Sequence, residues 1–155
     1  MKKKSETDLE GENEPPAEFM ASYGKSIRFD VSGLPIPQGS TRAFIVKNRP
    51  IITSTSKGLN QWRQLVSAEA QKRVDSPLEG PVSVELHFRV PRPKSAPKKR
   101  RTYPDKRPDL DKLVRAVLDA ITHVIVADDS QVVALTATKD YGPPGVLVQV
   151  DEIRV

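Results

Sequence analysis

The sequence predicts an α+β domain, in which two helices pack on a small mixed β-sheet. Strand patterns come first and last in the chain, and a further strand pattern lies between two amphipathic helix patterns. Strands that flank two helices and follow one another at both ends of a chain are typical of this class. The chain has 155 residues, which is room for one domain of ordinary size and a tail.

Composition excludes several kinds of protein. The chain has no cysteine, which rules out a disulfide scaffold, a thiolate zinc site and a cysteine nucleophile. No apolar run approaches the ~18 residues of a membrane span. The first residues, MKKKSETDLEGE, lack the apolar segment of a secretory signal. We therefore expect a cytoplasmic protein with no membrane partner and no small-molecule cofactor.

Charge is distributed unevenly along the chain. Residues 1–18 carry a net charge of −3, whereas the whole chain carries +5, so the remainder carries +8. A compact domain with this charge attracts polyanions such as nucleic acid, although the charge can also serve solubility alone. Residues 1–24 are polar and acidic, so we expect a disordered tail there and a single domain over 25–155.

The domain begins with strands. Apolar and polar residues alternate over 27–31, which predicts the first strand. Residues 33–39 are rich in glycine and proline and predict a loop. The next two apolar segments, 42–47 and 50–53, predict a hairpin that turns at Asn48-Arg49.

A helix and the clearest strand of the chain follow. A cap within residues 54–56 is expected to begin a helix that runs to about Val74. Four residues at helical spacing form its apolar face: Leu59, Trp62, Val66 and Ala70. We expect Trp62 in the core because it lies on that face. Residues 82–90 alternate strictly between apolar and polar and predict a strand with His87 on its polar side.

Residues 91–108, here called the basic loop, have no periodicity. A long irregular segment inside a domain is typical of a functional loop or a disordered one. The loop has one acidic residue, Asp105, and eight basic residues: Arg92, Lys94, Lys98, Lys99, Arg100, Arg101, Lys106 and Arg107. We expect these eight side chains to contact DNA phosphates.

The second helix and the last strands follow the basic loop. Pro108 disfavours a helix before it, and Asp109 is a suitable cap for a helix after it. The apolar stripe of this helix consists of Leu110, Leu113, Val114, Val117, Ile121 and Val124. Residues 132–138 and 146–155 predict two closing strands.

Acidic residues at both ends of this region suggest a catalytic or metal-binding site. Asp109 and Asp111 lie in the first turn of the helix, where free N–H groups stabilise negative charge. A structural role explains both, with Asp109 as the cap and Asp111 paired with Arg115. It does not explain Asp128-Asp129, because adjacent carboxylates repel each other unless cations compensate them.

If the chain folds back, the two pairs of aspartates meet at the helix start. Three or four converging carboxylates make an all-oxygen site suited to Mg²⁺, with Mn²⁺ as the alternative. Such a site beside the basic loop fits phosphodiester hydrolysis, because a metal ion activates water and polarises the phosphate while the loop neutralises DNA.

The same region resembles the signature of the RusA family, small Holliday-junction endonucleases of bacteria and their phages. The matching residues are Arg107, Asp109, Asp111, Asp119-Ala120-Ile121 and Asp128-Asp129-Ser130-Gln131-Val132. A weaker motif in the N-terminal half is also similar: Gly33-x-Pro35-x-Pro37-Gln38-Gly39-Ser40, Arg42, Phe44 and Trp62-Arg63. The resemblance covers residues 27–155.

The resemblance implies the metal ligands. Asp109, Asp111 and Asp129 match the family's metal-binding catalytic aspartates. Asp128 is the weaker candidate of its pair, because the family's critical acid is the second one. The implied cofactor is Mg²⁺, with Mn²⁺ as the alternative.

The resemblance also implies roles for three cations. Arg115 stands where the family has a catalytic lysine. Since an arginine keeps its proton at working pH, we expect it to clamp the phosphate rather than donate a proton. Lys112 stands where the family has asparagine, and Lys139 matches a lysine common near the family's C-terminus. We expect both to contact DNA.

The function implied is a Mg²⁺-dependent endonuclease that resolves four-way DNA junctions by paired symmetric nicks, in recombination and repair. The family acts as homodimers in the cytoplasm of bacteria or phage-infected cells, and two equivalent nicks call for two sites related by a two-fold axis. Two alternatives remain open: a non-catalytic basic module that binds junctions, and a metal nuclease acting on flaps or forks.

Overall fold

The computed structural model describes residues 22–39, 41–54 and 57–154. The predicted acidic tail therefore lies almost wholly outside the described residues. The elements are β1 (Ser22–Ser32), β2 (Thr41–Val46), β3 (Arg49–Ser54), α1 (Leu59–Gln71), β4 (Val82–Val90), α2 (Leu110–Ile121), a 3₁₀ turn (Asp129–Gln131), β5 (Val132–Tyr141) and β6 (Gly145–Arg154).

Four of the strands form one mixed sheet in the order β1-β6-β4-β5. Only β4 and β5 are parallel, and the other neighbours are antiparallel. The remaining two strands, β2 and β3, form a separate antiparallel hairpin. This arrangement confirms the predicted α+β class with two helices and a small mixed sheet.

The core lies on one face of this sheet. The five apolar residues of β4 are buried and alternate with half-buried polar ones, as the strict alternation predicted. The two helices pack against each other, and Arg63 of α1 pairs with Asp119 of α2 at 2.8 Å. Trp62 is only 2% exposed, which confirms its assignment to the core. Neither helix of the described chain has the length and apolar character needed to cross a membrane.

Several element boundaries differ from the predictions: α1 ends at Gln71 rather than near Val74, and β5 continues to Tyr141 rather than to residue 138. Strand β1 begins at Ser22 because β6 extends far enough to pair with it as far as Arg154. The hairpin turns at Lys47-Asn48, one residue earlier than predicted, and both residues have positive φ, 49° and 59°, as a two-residue hairpin turn requires. Helix α1 begins after Gly58, whose φ of 81° lies in the left-handed region, without a side-chain cap.

The segment from β4 to β5 decides where the acidic residues lie. Because β4 and β5 are parallel, α2 must run back along them before β5 starts. The start of α2 therefore lies near the C-terminal ends of both strands, and Asp128-Asp129 lie near their N-terminal ends. The 12 residues of α2 alone span about 18 Å at 1.5 Å per residue.

Strand β5 is an edge of the sheet and is unusually open. It pairs on one side only, with β4, so one row of its backbone N–H and C=O groups has no neighbouring strand within the described residues. Val133 and Leu135 are 64% and 47% exposed. An apolar edge strand of this kind is a ready template for pairing with another chain.

Candidate active site

Two carboxylates lie at the start of α2. Asp109 occupies the N-cap position, but its side chain makes no capping hydrogen bond. It instead faces Lys112 Nζ at 3.1 Å. Asp111 is exposed, and its carboxylate has no hydrogen bond or ion pair within the part of the chain that the structure describes. Both acids are therefore accessible to a ligand at the N-terminus of α2.

The helix start is held from two sides. Lys139 Nζ donates to the carbonyl oxygens of Lys106 and Pro108, at 2.8 and 2.7 Å. On the other side, the N–H of Gln38 donates to the carbonyl of Lys112 at 3.0 Å. Lys139 thus anchors the end of the basic loop just before Asp109. The sequence predicts a DNA contact for Lys139, whereas two of its three donors are engaged inside the protein.

The second pair of acids lies in a turn built by Gln131. Its Oε1 accepts from the N–H groups of Ala127 and Asp128, at 2.8 and 3.0 Å. Its Nε2 donates to the carbonyl oxygens of Leu78 and Gly80, at 2.9 and 2.8 Å. Two of these hydrogen bonds therefore close the turn, and the other two fix it to the segment before β4. The sequence places Gln131 in a motif but does not indicate this role.

Asp128 and Asp129 differ in their surroundings. Asp128 caps the 3₁₀ turn and accepts from the N–H of Ser130 at 2.8 Å. Hydrogen bonds from the Ser130 hydroxyl and then from its N–H lower the pKa of Asp128 below the ordinary value of 3.8. Asp129 is exposed and does not cap the turn. Asp128 is thus occupied as a cap, whereas Asp129 is accessible to a ligand.

The structure does not bring the two pairs of aspartates together in one chain. They lie at opposite ends of the unit formed by β4, α2 and β5, and no group of three or more metal-ligating side chains exists among residues 22–39, 41–54 and 57–154. The expectation that the chain folds back to join them is therefore wrong for a single chain. The physical reason is the parallel pairing of β4 and β5, which places a whole helix between them.

Arg115 lies one turn beyond Asp111 on the exposed side of α2. The structural alternative paired it with Asp111. Arg115 instead has no ion pair within the described chain, and Asp119, one turn further along, is engaged by Arg63. Arg115 is therefore a cation without an ion pair in the described chain, one helical turn from Asp111, a carboxylate without one.

The basic loop divides into cations that hold the loop and cations that are free. Arg92 donates to the carbonyl oxygens of Pro97 and Arg100. Arg101 pairs with Asp140 at 2.8 Å and lies 4.9 Å from the ring centre of Tyr103. The exposed members without an ion pair in the described residues are Lys94, Lys98, Lys99, Arg100, Lys106 and Arg107.

A groove of about 480 Å³ lies beside the start of α2, and no pattern in the sequence predicts it. It lies between residues 34–37 and the end of the basic loop, at the C-terminal ends of β4 and β5. Six prolines contribute to its wall: Pro35, Pro37, Pro91, Pro93, Pro104 and Pro108. We call it the proline groove. A neighbouring depression shares Pro37, Arg107 and Pro108 with it and reaches Asp109.

Accessible carboxylates at a helix start, beside a loop of free cations, are a combination suited to a nucleic-acid substrate. The family model for the endodeoxyribonuclease RusA matches residues 35–151. The chain therefore belongs to the RusA endodeoxyribonuclease family, as the resemblance predicted. It is also 33% identical over 137 residues to YqaN of Bacillus subtilis strain 168, an uncharacterized protein, with 82% of this chain and 96% of YqaN covered.

Proposed function

We propose that this protein is a divalent-metal-dependent endonuclease that resolves four-way DNA junctions as a homodimer, by paired symmetric nicks during recombination and repair. The observation that carries the proposal is the pair of exposed carboxylates, Asp111 and Asp129, at opposite ends of one β-α-β unit that ends in an open edge strand. Membership of the RusA family supports DNA cleavage.

A two-fold axis at β5 would complete the acidic site. When two copies of an edge strand pair about such an axis, they run antiparallel. The start of one β5, next to Asp129, then lies beside the end of the other, where Lys139 anchors the residues before Asp109. Each site would combine Asp109 and Asp111 of one protomer with the partner's Asp129. The exposed Val133 and Leu135 would be covered in the same step.

The donor set of this composite site suits a hard cation. Three carboxylates and no sulfur or imidazole ligand favour Mg²⁺, with Mn²⁺ as the alternative. When bound, the ion supplies an activated water and neutralises charge on the phosphate. Two neighbouring cations would have separate tasks: Lys112, which already pairs with Asp109, would balance its charge, and Arg115 would bind a phosphate oxygen.

Cleavage of a synthetic four-way junction tests this function. Asp109→Asn, Asp111→Asn and Asp129→Asn should each abolish cleavage in Mg²⁺ while junction binding stays equal or becomes tighter, because a negative charge facing phosphate is removed. Asp128→Asn is the matched control and should still cut, since asparagine can accept the same hydrogen bond from Ser130.

Two outcomes would favour the alternatives. Near-wild-type cleavage by any two of the three asparagine variants would rule out the assigned acidic site. Binding of junctions without Mg²⁺-dependent cutting by the wild type would indicate a non-catalytic module. Cleavage of flaps or forks at the expense of four-way junctions would indicate the other substrate class.

A further inference from the structure

The proline groove offers apolar surface on which the flat face of an aromatic ring can stack. Its wall is built mainly of proline rings and apolar side chains, with the aromatic ring of Tyr141 at the end of β5. Prolines have no side-chain freedom to lose, so a planar ligand stacks on them at little entropic cost. The volume of about 480 Å³ falls in the range of ~300–1,000 Å³ that holds small-molecule ligands.

The charges around the groove match a phosphate group. Lys106 and Arg107 are the charged residues of its wall, and neither forms an ion pair within the described part of the chain. Arg107 and Pro108 also line the depression that contains Asp109. A ligand that filled the groove with an aromatic ring would thus hold an attached anionic group between Arg107 and the acidic site. A nucleotide has both parts in this order.

The position of the groove agrees with this ligand. It opens at the C-terminal ends of two parallel strands, where α/β units bind their ligands. Extrusion of a base costs a few kcal/mol in duplex DNA and least where pairing or stacking is already broken. A pocket for one extruded base would therefore favour branch points over continuous duplex.

We propose that the proline groove binds one nucleobase, extruded from the stack beside the scissile phosphate, and that this contact contributes to selection of branched DNA. The inference rests on the proposed function, since it takes the DNA near Asp109 as the substrate. Tyr141 and Leu34 would contact the base, and Arg107 the phosphate that follows it.

The test uses the full chain and metal-free four-way junctions, each with one 2-aminopurine at a defined distance from the crossover. Emission of this base changes when it leaves the stack. Wild-type binding should change the emission at one or two adjacent positions near the cleaved bond. Leu34→Glu and Tyr141→Ala should remove the change in emission and leave the affinity for duplex DNA unchanged. They should weaken junction binding about fivefold or more, which is the low end of the effect of losing one stacking contact between a base and an aromatic side chain.

Two exposed residues outside the groove provide matched controls. Leu65 on α1 is 47% exposed, close to the 54% of Leu34, and Tyr23 lies in β1. Leu65→Glu and Tyr23→Ala should keep both the emission change and the wild-type affinity. Circular dichroism of all four variants checks that they are folded.

The outcomes separate this inference from the proposed function. If the wild type binds and cuts junctions but no position changes its emission, or the change survives both groove variants, the groove does not hold a base and the proposed function stands. If Leu34→Glu turns a DNA-free dimer into a monomer, the groove is a protein interface and the inference is wrong. If the wild type neither binds nor cuts junctions, both proposals fail.

Discussion

The carboxylates of α2 differ in what surrounds them, although all are aspartates on one short helix. Asp109 faces Lys112 and Asp119 faces Arg63, whereas Asp111 has no cation within ion-pair distance in the described chain. A carboxylate left without a counter-charge at a protein surface is available for a ligand. Of these three aspartates, Asp111 is thus the one open to a ligand, whereas Asp109 and Asp119 each face a cation.

Arg115 gives the sharpest prediction at this scale. An exposed ion pair is worth only tenths of a kcal/mol, so a purely structural Arg115 would be dispensable. A cation aimed at charge that develops on the phosphate is worth on the order of 10²-fold in rate, by analogy with the removal of one preorganised donor. We expect Arg115→Ala to fold and bind junctions but to cut them at least ~100-fold more slowly.

The control substitution is Arg115→Lys, because the family resemblance implies a lysine at this position. Arg115→Lys keeps the positive charge and should retain substantial cleavage activity in the same single-turnover assay. A wild-type cleavage rate for Arg115→Ala would show that the side chain is a surface cation without a catalytic role.

The pair Asp128-Asp129 shows how far a local pattern can predict a site. The adjacency of two carboxylates indicated a special site, and the structure explains half of it differently, since Asp128 is a cap that accepts from Ser130. Because hydrogen bonds lower the pKa of Asp128, they stabilise the fold above the ordinary carboxyl pKa. That contribution disappears as the pH falls through the lowered value.

The basic loop is the element with the widest range of roles. Two of its cations hold the loop in place: Arg92 donates to the carbonyl oxygen of Arg100, and Arg101 pairs with Asp140. Its end is tied to β5 through Lys139. A loop with these anchors can present its free cations in a defined position, which an entirely solvated loop cannot.

The loop makes a prediction about salt dependence. Replacing Lys98, Lys99, Arg100 and Arg101 with alanine should weaken binding to every DNA shape. The slope of log affinity against log salt should fall by about 0.9 for each phosphate on the duplex arms that the variant no longer neutralises. Titrations at several salt concentrations measure this slope. An unchanged slope would show that this part of the loop faces away from DNA.

At the scale of the whole molecule, the division of the acidic residues would make dimerisation part of the proposed chemistry. One chain supplies Asp109 and Asp111 at one end of α2 and Asp129 at the other. A protomer alone would then hold two incomplete sites. Association along β5 would complete both at once and set them in two-fold symmetry, which matches two symmetric nicks.

A mixing experiment tests this composite site. Asp111→Asn and Asp129→Asn should each be inactive as homodimers. In a mixed dimer, one site carries both substitutions and the other carries neither, so one site becomes functional. After equal mixing and exchange of protomers, about a quarter of all sites should be wild type, if association is random. The product should be singly nicked junctions rather than resolved duplexes.

A site contained within one chain gives the opposite result. Each protomer of the mixed dimer would then carry one substitution in its own site, and mixing would restore no nicking. Wild-type protein diluted to the same total concentration provides the reference rate.

The amino-acid sequence was sufficient to predict the class of fold and the core faces of the main elements. These follow from local periodicity and from the chemistry of side chains, which depend only on near neighbours in the chain. The strict alternation of β4 therefore agreed with the structure. The apolar stripe of α2 agreed as far as Ile121, where the helix ends before Val124. The predicted positions of the hairpin turn and of the start of α1 were wrong. The turn lies where Asn48 adopts a positive φ, and α1 begins after Gly58, which also has a positive φ, rather than after a capping side chain.

Only the tertiary structure decides which of the acidic residues lie close together in space. Parallel pairing of β4 and β5 is a contact between segments far apart in sequence, and no local pattern reports whether two strands pair parallel or antiparallel. That one choice puts α2 between Asp111 and Asp129, leaves β5 open at the edge and creates the proline groove at its C-terminal end. The spacing of residues along the chain therefore could not predict the distance between them in space.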